Sequence, residues 1–126
     1  MTDLPETPEG VRHILFTNNL ELRKAPAVYE KQMQRINELE DALGLAKAVW
    51  QDAWDAAYST SEGSVEDRKI AARAAARDHH DTVLELEADL RVAKAEAERI
   101  ELKRKQLDRE QMALQSALKS MLFEGA

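Results

Sequence analysis

Asp78-His79-His80-Asp81 is the cluster in this 126-residue chain whose residue types suggest metal or acid–base chemistry. On a helix, adjacent side chains point about 100° apart, so the two imidazoles cannot close on one ion, and a ligand pair at i, i+4 is missing. The expected role is therefore structural or solvent-facing, with His79 in a helix–helix seam where it marks register. Carboxylates are plentiful, with 24 Asp and Glu, but helix surfaces provide no cleft to raise one pKa above another. The absence of cysteine excludes thiolate ligands, cysteine nucleophiles and disulfides. There is no glycine-rich phosphate loop, no G-x-S-x-G and no H-E-x-x-H. The expectation is a protein that is not an enzyme, with no catalytic residue, no cofactor and no metal.

Two further groups of residues bear on binding. Trp50, Trp54 and Tyr58 stand at i, i+4, i+8 and form a slowly drifting stripe. Opposite them the run Ile70-Ala71-Ala72-Arg73-Ala74-Ala75-Ala76 is small enough to seat large rings, so packing accounts for much of the stripe. The same three residues are the candidate partner-binding site, because Trp and Tyr are favoured interface anchors and Tyr58 drifts off the seam. The richest basic stretch is Arg91, Lys94, Arg99, Lys103, Arg104, Lys105 and Arg109. Its charges scatter around a helix, are interleaved with Glu96, Glu98, Glu101 and Asp108, and have no aromatic neighbours on which bases could stack. Nucleic-acid binding through this stretch is the alternative reading, and an acidic inhibitor of a host DNA-binding protein is a third.

The elements that must position these residues are long helices. A 3-4-3-4 ladder runs from Ala72 through Ala76, His79, Val83, Leu86, Leu90, Ala93, Ala97, Ile100, Arg104, Leu107, Gln111, Leu114 and Leu118 to Met121. That length favours a coiled coil. A second ladder alternates Tyr29, Ile36, Leu43, Trp50 and Ala57 with Gln32, Leu39, Ala46 and Ala53. Between them Ser59-Thr60-Ser61-Glu62-Gly63-Ser64 is the breaker, with Gly63 free to turn and Ser64 and Asp67 spaced as a short-armed capping box. So short a connection makes the helices antiparallel. The fold class expected is all-α, an antiparallel helical hairpin over residues 26–126, with a first helix at about 26–59, a turn at 60–64 and a second helix at about 65–123.

Pro26 suits the first turn of that first helix. Residues 1–25 are then an arm and a short element: Pro5, Pro8 and Gly10 make the first ten residues irregular. The segment 11–24 fits either a short helix or a β-hairpin turning at Asn18-Asn19. With the bend near Ser61 and Glu62, Trp50 should face Arg73, Ile36 should face Glu87, and Tyr29 should face Lys94. On this division the second helix, at roughly 1.5 Å per residue, overhangs the first by its C-terminal third. The overhang carries Ile100, Arg104, Leu107, Gln111, Leu114, Leu118 and Met121. Either the N-terminal segment folds back on this ladder or another chain covers it, and a homodimer is the expected remedy, with Arg104 and Gln111 setting its register.

Charge divides along the same line. The net charge is −6, with the hairpin acidic and residues 91–126 holding eight Lys and Arg against six Asp and Glu. That asymmetry favours self-association over contact with a polyanion along the whole length. No apolar run approaches the roughly 20 residues of a membrane span, and the N-terminus lacks the regions of a signal peptide. No membrane partner and a cytoplasmic location are the corresponding expectations.

The turn segment Ser61-Glu62-Gly63-Ser64-Val65-Glu66-Asp67-Arg68-Lys69, preceded by Ala56-Ala57-Tyr58, resembles small helical-hairpin proteins of actinobacterial bacteriophages and prophages. The ending Leu114-Gln115-Ser116-Ala117-Leu118-Lys119-Ser120 is also similar, and the likeness covers about residues 29–121. Genes of that group often sit near phage genes for single-stranded DNA binding or recombination. The resemblance therefore implies a non-enzymatic coiled-coil adaptor, acting in the host cytoplasm, that self-associates and binds a phage or host protein in phage DNA metabolism. It supplies no functional residues.

Overall fold

The computed structural model describes residues 5–124 and is an all-α helical hairpin. Helix α1 runs Pro8–Thr60 and helix α2 runs Val65–Glu124. They divide into two compact units, Met33–Ala95 and Met1–Gln32 with Glu96–Ala126.

The unit that contains the turn follows the expected pattern. Ser64 and Asp67 cap α2 reciprocally: the Asp67 amide donates to Ser64 Oγ and the Ser64 amide to Asp67 Oδ2, both at 3.2 Å. Gly63 carries the chain around with a φ of 108°. Ser61 closes the end of α1 by donating its amide to the Ala57 carbonyl at 3.1 Å. Two orphaned helix ends are thus satisfied within a few residues, which fixes where the chain reverses. Ile36, Leu43, Ala72, Ala76, Val83, Leu90 and Ala93 are buried, and Leu39, Ala46, Ala53, Ala57 and Leu86 are half-buried between them.

The register differs from expectation. Trp50 packs not against Arg73 but against His80, one heptad further along α2, with ring centroids 4.7 Å apart. Lys47 reaches Glu87 at 4.0 Å, where Ile36 was expected, and Glu40 rather than Tyr29 meets Lys94 at 3.6 Å. As numbers rise along α1 they fall along α2, so the antiparallel sense holds. His79, expected in the seam, is exposed, and His80 is the half-buried imidazole.

The second unit overturns the expected arm. Residues 8–25 are neither a short separate element nor a β-hairpin but the first turns of α1, which begins at Pro8. Thr7 is the N-cap, accepting the Gly10 amide on Oγ1 at 3.2 Å, and its carbonyl takes the Val11 amide at 3.1 Å. Pro8 occupies the first helical position, where its missing N–H costs nothing, and Glu9 lies in the positive first turn. Pro5 folds over this start so closely that a Cβ on Gly10 would lie 2.8 Å from Pro5 Cβ. Pro26, expected to open the helix, lies inside it with its ring exposed. There it leaves the Leu22 carbonyl without its helical donor and sets its ring against the preceding turn.

Val11, Leu15, Asn18, Leu22, Ala25 and Tyr29 keep strict 3-4 spacing, and none is exposed. Val11 and Leu114 are fully buried, and Asn18, Gln111 and, further along α2, Ala97 are buried in the same unit. With 53 residues in α1 and 60 in α2, the ladder expected to overhang is covered by the chain's own N-terminal turns.

Candidate functional site

At the turn end, the aromatic stripe separates into two contacts. Trp50 leans on His80 with a 32° angle between the rings. Trp54 and Tyr58, one turn apart on α1, stack with centroids 5.1 Å apart and planes 8° from parallel. Arg68 then places its guanidinium 5.9 Å from the Tyr58 ring centre, a cation–π contact that extends the stack to α2. The sequence reading missed Arg68. Its signal was a cation on the first turn of α2, directly across the four-residue turn from Tyr58.

All three aromatics are half-buried, so Tyr58 is not the outlier that its drift along the helix suggested. Each is held by a neighbouring ring or cation and still shows an edge to solvent. Arg68 Nε is buried without a hydrogen-bond partner, and the guanidinium meets the face of the Tyr58 ring. Val65 and Ile70, on the same first turns of α2, are 56% and 61% exposed. Rigid aromatic rings, a stacked cation and exposed aliphatic side chains are the ingredients of a protein-binding surface.

The proposed self-association residues lie in the other unit. Gln111 and Leu114 are buried, and Ile100, Arg104, Leu107, Leu118 and Met121 are half-buried, so none of the seven presents a free apolar stripe. Gln111 donates Nε2 to the Leu15 carbonyl at 3.1 Å and to Asn19 Oδ1 at 3.4 Å. Asn18 donates Nδ2 to Glu110 Oε1 at 3.2 Å. A polar layer at the expected place therefore exists, and its donors are bonded within one chain while Gln111 Oε1 is buried without a partner. Arg104 plays no part in it: it bonds its own helix neighbours, Glu101 at 3.1 Å and Asp108 at 3.5 Å. The hydrogen bond to Glu101, then its charge, raises the Arg104 pKa further, with Asp108 adding to it.

Three of the seven cations of the basic stretch are tied to carboxylates. Lys94 is paired with Glu40, Arg99 with Glu96, and Arg104 with Glu101 and Asp108. Among the described residues no three His, Cys, Asp or Glu side chains converge as metal ligands, and no helix is long and apolar enough to cross a membrane. The chain matches no family model, no curated protein and no solved structure.

Proposed function

We propose that this chain is a non-enzymatic helical-hairpin adaptor that self-associates and binds a protein partner through the Trp54–Tyr58–Arg68 stack at its turn. The observation that carries the partner reading is the stack itself: two parallel rings 5.1 Å apart, with a guanidinium over the outer one and part of every ring facing solvent. Such a cluster offers large contact area whose side-chain entropy is already spent in the free protein, the arrangement found at binding hot spots. The likeness of the turn segment to actinophage hairpin proteins suggests phage DNA metabolism in the host cytoplasm as the setting, with a phage or host protein as partner.

The test combines recovery with melting. Wild-type chain and Tyr58→Ala are used to capture proteins from infected host lysate, and both are melted in urea. The expected outcome is a partner retained by wild type and lost with Tyr58→Ala, at a stability cost under about 2 kcal/mol for a half-buried ring. A mobility shift with single-stranded DNA that weakens steeply between two salt concentrations would instead favour the nucleic-acid reading.

A further inference from the structure

We infer that residues 8–25 of α1 are an exchangeable strap: the segment that covers the Ile100–Met121 ladder within one molecule can cover the same ladder of a second copy. The inference rests on the self-association reading above and supplies its mechanism.

Three observations lead to it. First, the ladder already has a dedicated occupant. Gln111 is fitted to the Leu15 carbonyl and Asn19, and Glu110 to Asn18. A second copy presents the same strap, so exchange reproduces every contact without a new surface, which is why swapping of an identical element is a low-cost route to dimers.

Second, the strap joins the rest of α1 at Pro26. The Leu22 carbonyl there already lacks its helical donor, so bending the chain at this point gives up less than bending anywhere else along α1. Pro26 itself is exposed, so a bend there breaks no packing of its own ring, and the flanking Leu22, Ala25 and Tyr29 are half-buried.

Third, the cover is thin. Val11 and Asn18 are the buried residues of the strap, and one of the two is polar. The Gln111 Oε1 beneath it is buried without a partner. A polar layer of this kind weakens a seam while specifying what pairs with it. The strap is thus specific enough to find its ladder and loose enough to leave it.

Complementation between two full-length variants tests the exchange. Val11→Asp spoils the strap and spares the ladder, whereas Leu114→Asp spoils the ladder and spares the strap. Each alone can neither close properly nor exchange with itself. Mixed, the intact ladder of one receives the intact strap of the other. Light scattering should then show doubled mass in the mixture, single-chain mass for each variant alone, and a wild-type dimer that grows with concentration. Pro26→Ala, which stiffens the hinge, should lower the wild-type dimer fraction at equal concentration.

If wild type and both variants are all dimeric alone, self-association proceeds through another face; exchange is then overturned while the adaptor reading keeps its oligomer. If wild type, variants and mixture are all monomeric at the highest concentration reached, both exchange and self-association fail. Circular dichroism on each variant shows how much of the wild-type helix content it keeps.

Discussion

Gln111 donates its side-chain amide to the main-chain carbonyl of Leu15, 96 positions earlier in the chain, at 3.1 Å. That carbonyl belongs to a helix, so Gln111 shares it with the helical ladder and does not rescue an orphan. Its own Oε1 is buried unpartnered. Desolvating that oxygen costs about 1–3 kcal/mol, against a net gain of about 1 kcal/mol for the donated bond. Gln111→Leu should therefore leave stability unchanged or raise it by about 1 kcal/mol, while Gln111→Ala should lower it by about 1–2 kcal/mol through lost packing. Urea melts of the two variants decide this, and a large loss with Leu would mean that the polar layer holds the seam together instead of only specifying it.

That relationship also marks where sequence reasoning stopped short. The turn was legible because its signals are local: a glycine, a serine and an aspartate at fixed offsets define the cap that the structure contains. The C-terminal ladder was legible because its apolar spacing dominates its polar interruptions. The start of α1 was not, although Thr7-Pro8-Glu9 is a well-formed N-terminus and Val11, Leu15, Leu22, Ala25 and Tyr29 keep the phase. Asn18-Asn19 and Pro26 each carry a strong breaker signal, and α1 runs through both. Asn18 is bonded across to α2, and the Pro26 ring faces solvent. Arg68 was missed for a different reason, since a ring–guanidinium contact across a turn has no periodicity to betray it.

Burial ranks the seam. Leu114 is 1% exposed, whereas Leu86 is only half-buried. Leu114→Ala should cost about 2–4 kcal/mol, and Leu86→Ala clearly less, because deletion costs scale with the cavity left behind. Val11→Ala should cost about 1–2 kcal/mol, since Val11 is wholly buried as well. Denaturant melts in which Val11→Ala is silent would show that the N-terminal turns of α1 add nothing to the core.

At the turn, Gly63 has a φ of 108°, and a Cβ there would sit 2.8 Å from Asp67 Oδ2. Gly63→Ala therefore combines backbone strain of about 1–3 kcal/mol with displacement of the capping carboxylate. Asp67→Ala removes the carboxylate alone and should cost about 1 kcal/mol. In the double variant the alanine methyl no longer meets that oxygen, so the two losses should sum to more than the double variant shows. Strict additivity in thermal melts would indicate that the cap accommodates the methyl without moving.

Pro26 offers the reverse case, a substitution expected to stabilise. Alanine restores an N–H facing the Leu22 carbonyl, removes the ring from the preceding turn, and stands at an exposed position where nothing is lost from the core. Proline in a helix interior is disfavoured by about 3 kcal/mol relative to alanine, and part of that penalty is already relieved by solvation of the exposed backbone. Pro26→Ala should accordingly raise stability by about 1–3 kcal/mol. Hydrogen exchange localises the effect: the amides of residues 11–25 should gain protection, while amides near the turn stay as they are. Unchanged protection in 11–25 would mean that proline breaks no continuity there, and the hinge would have to be sought elsewhere on α1.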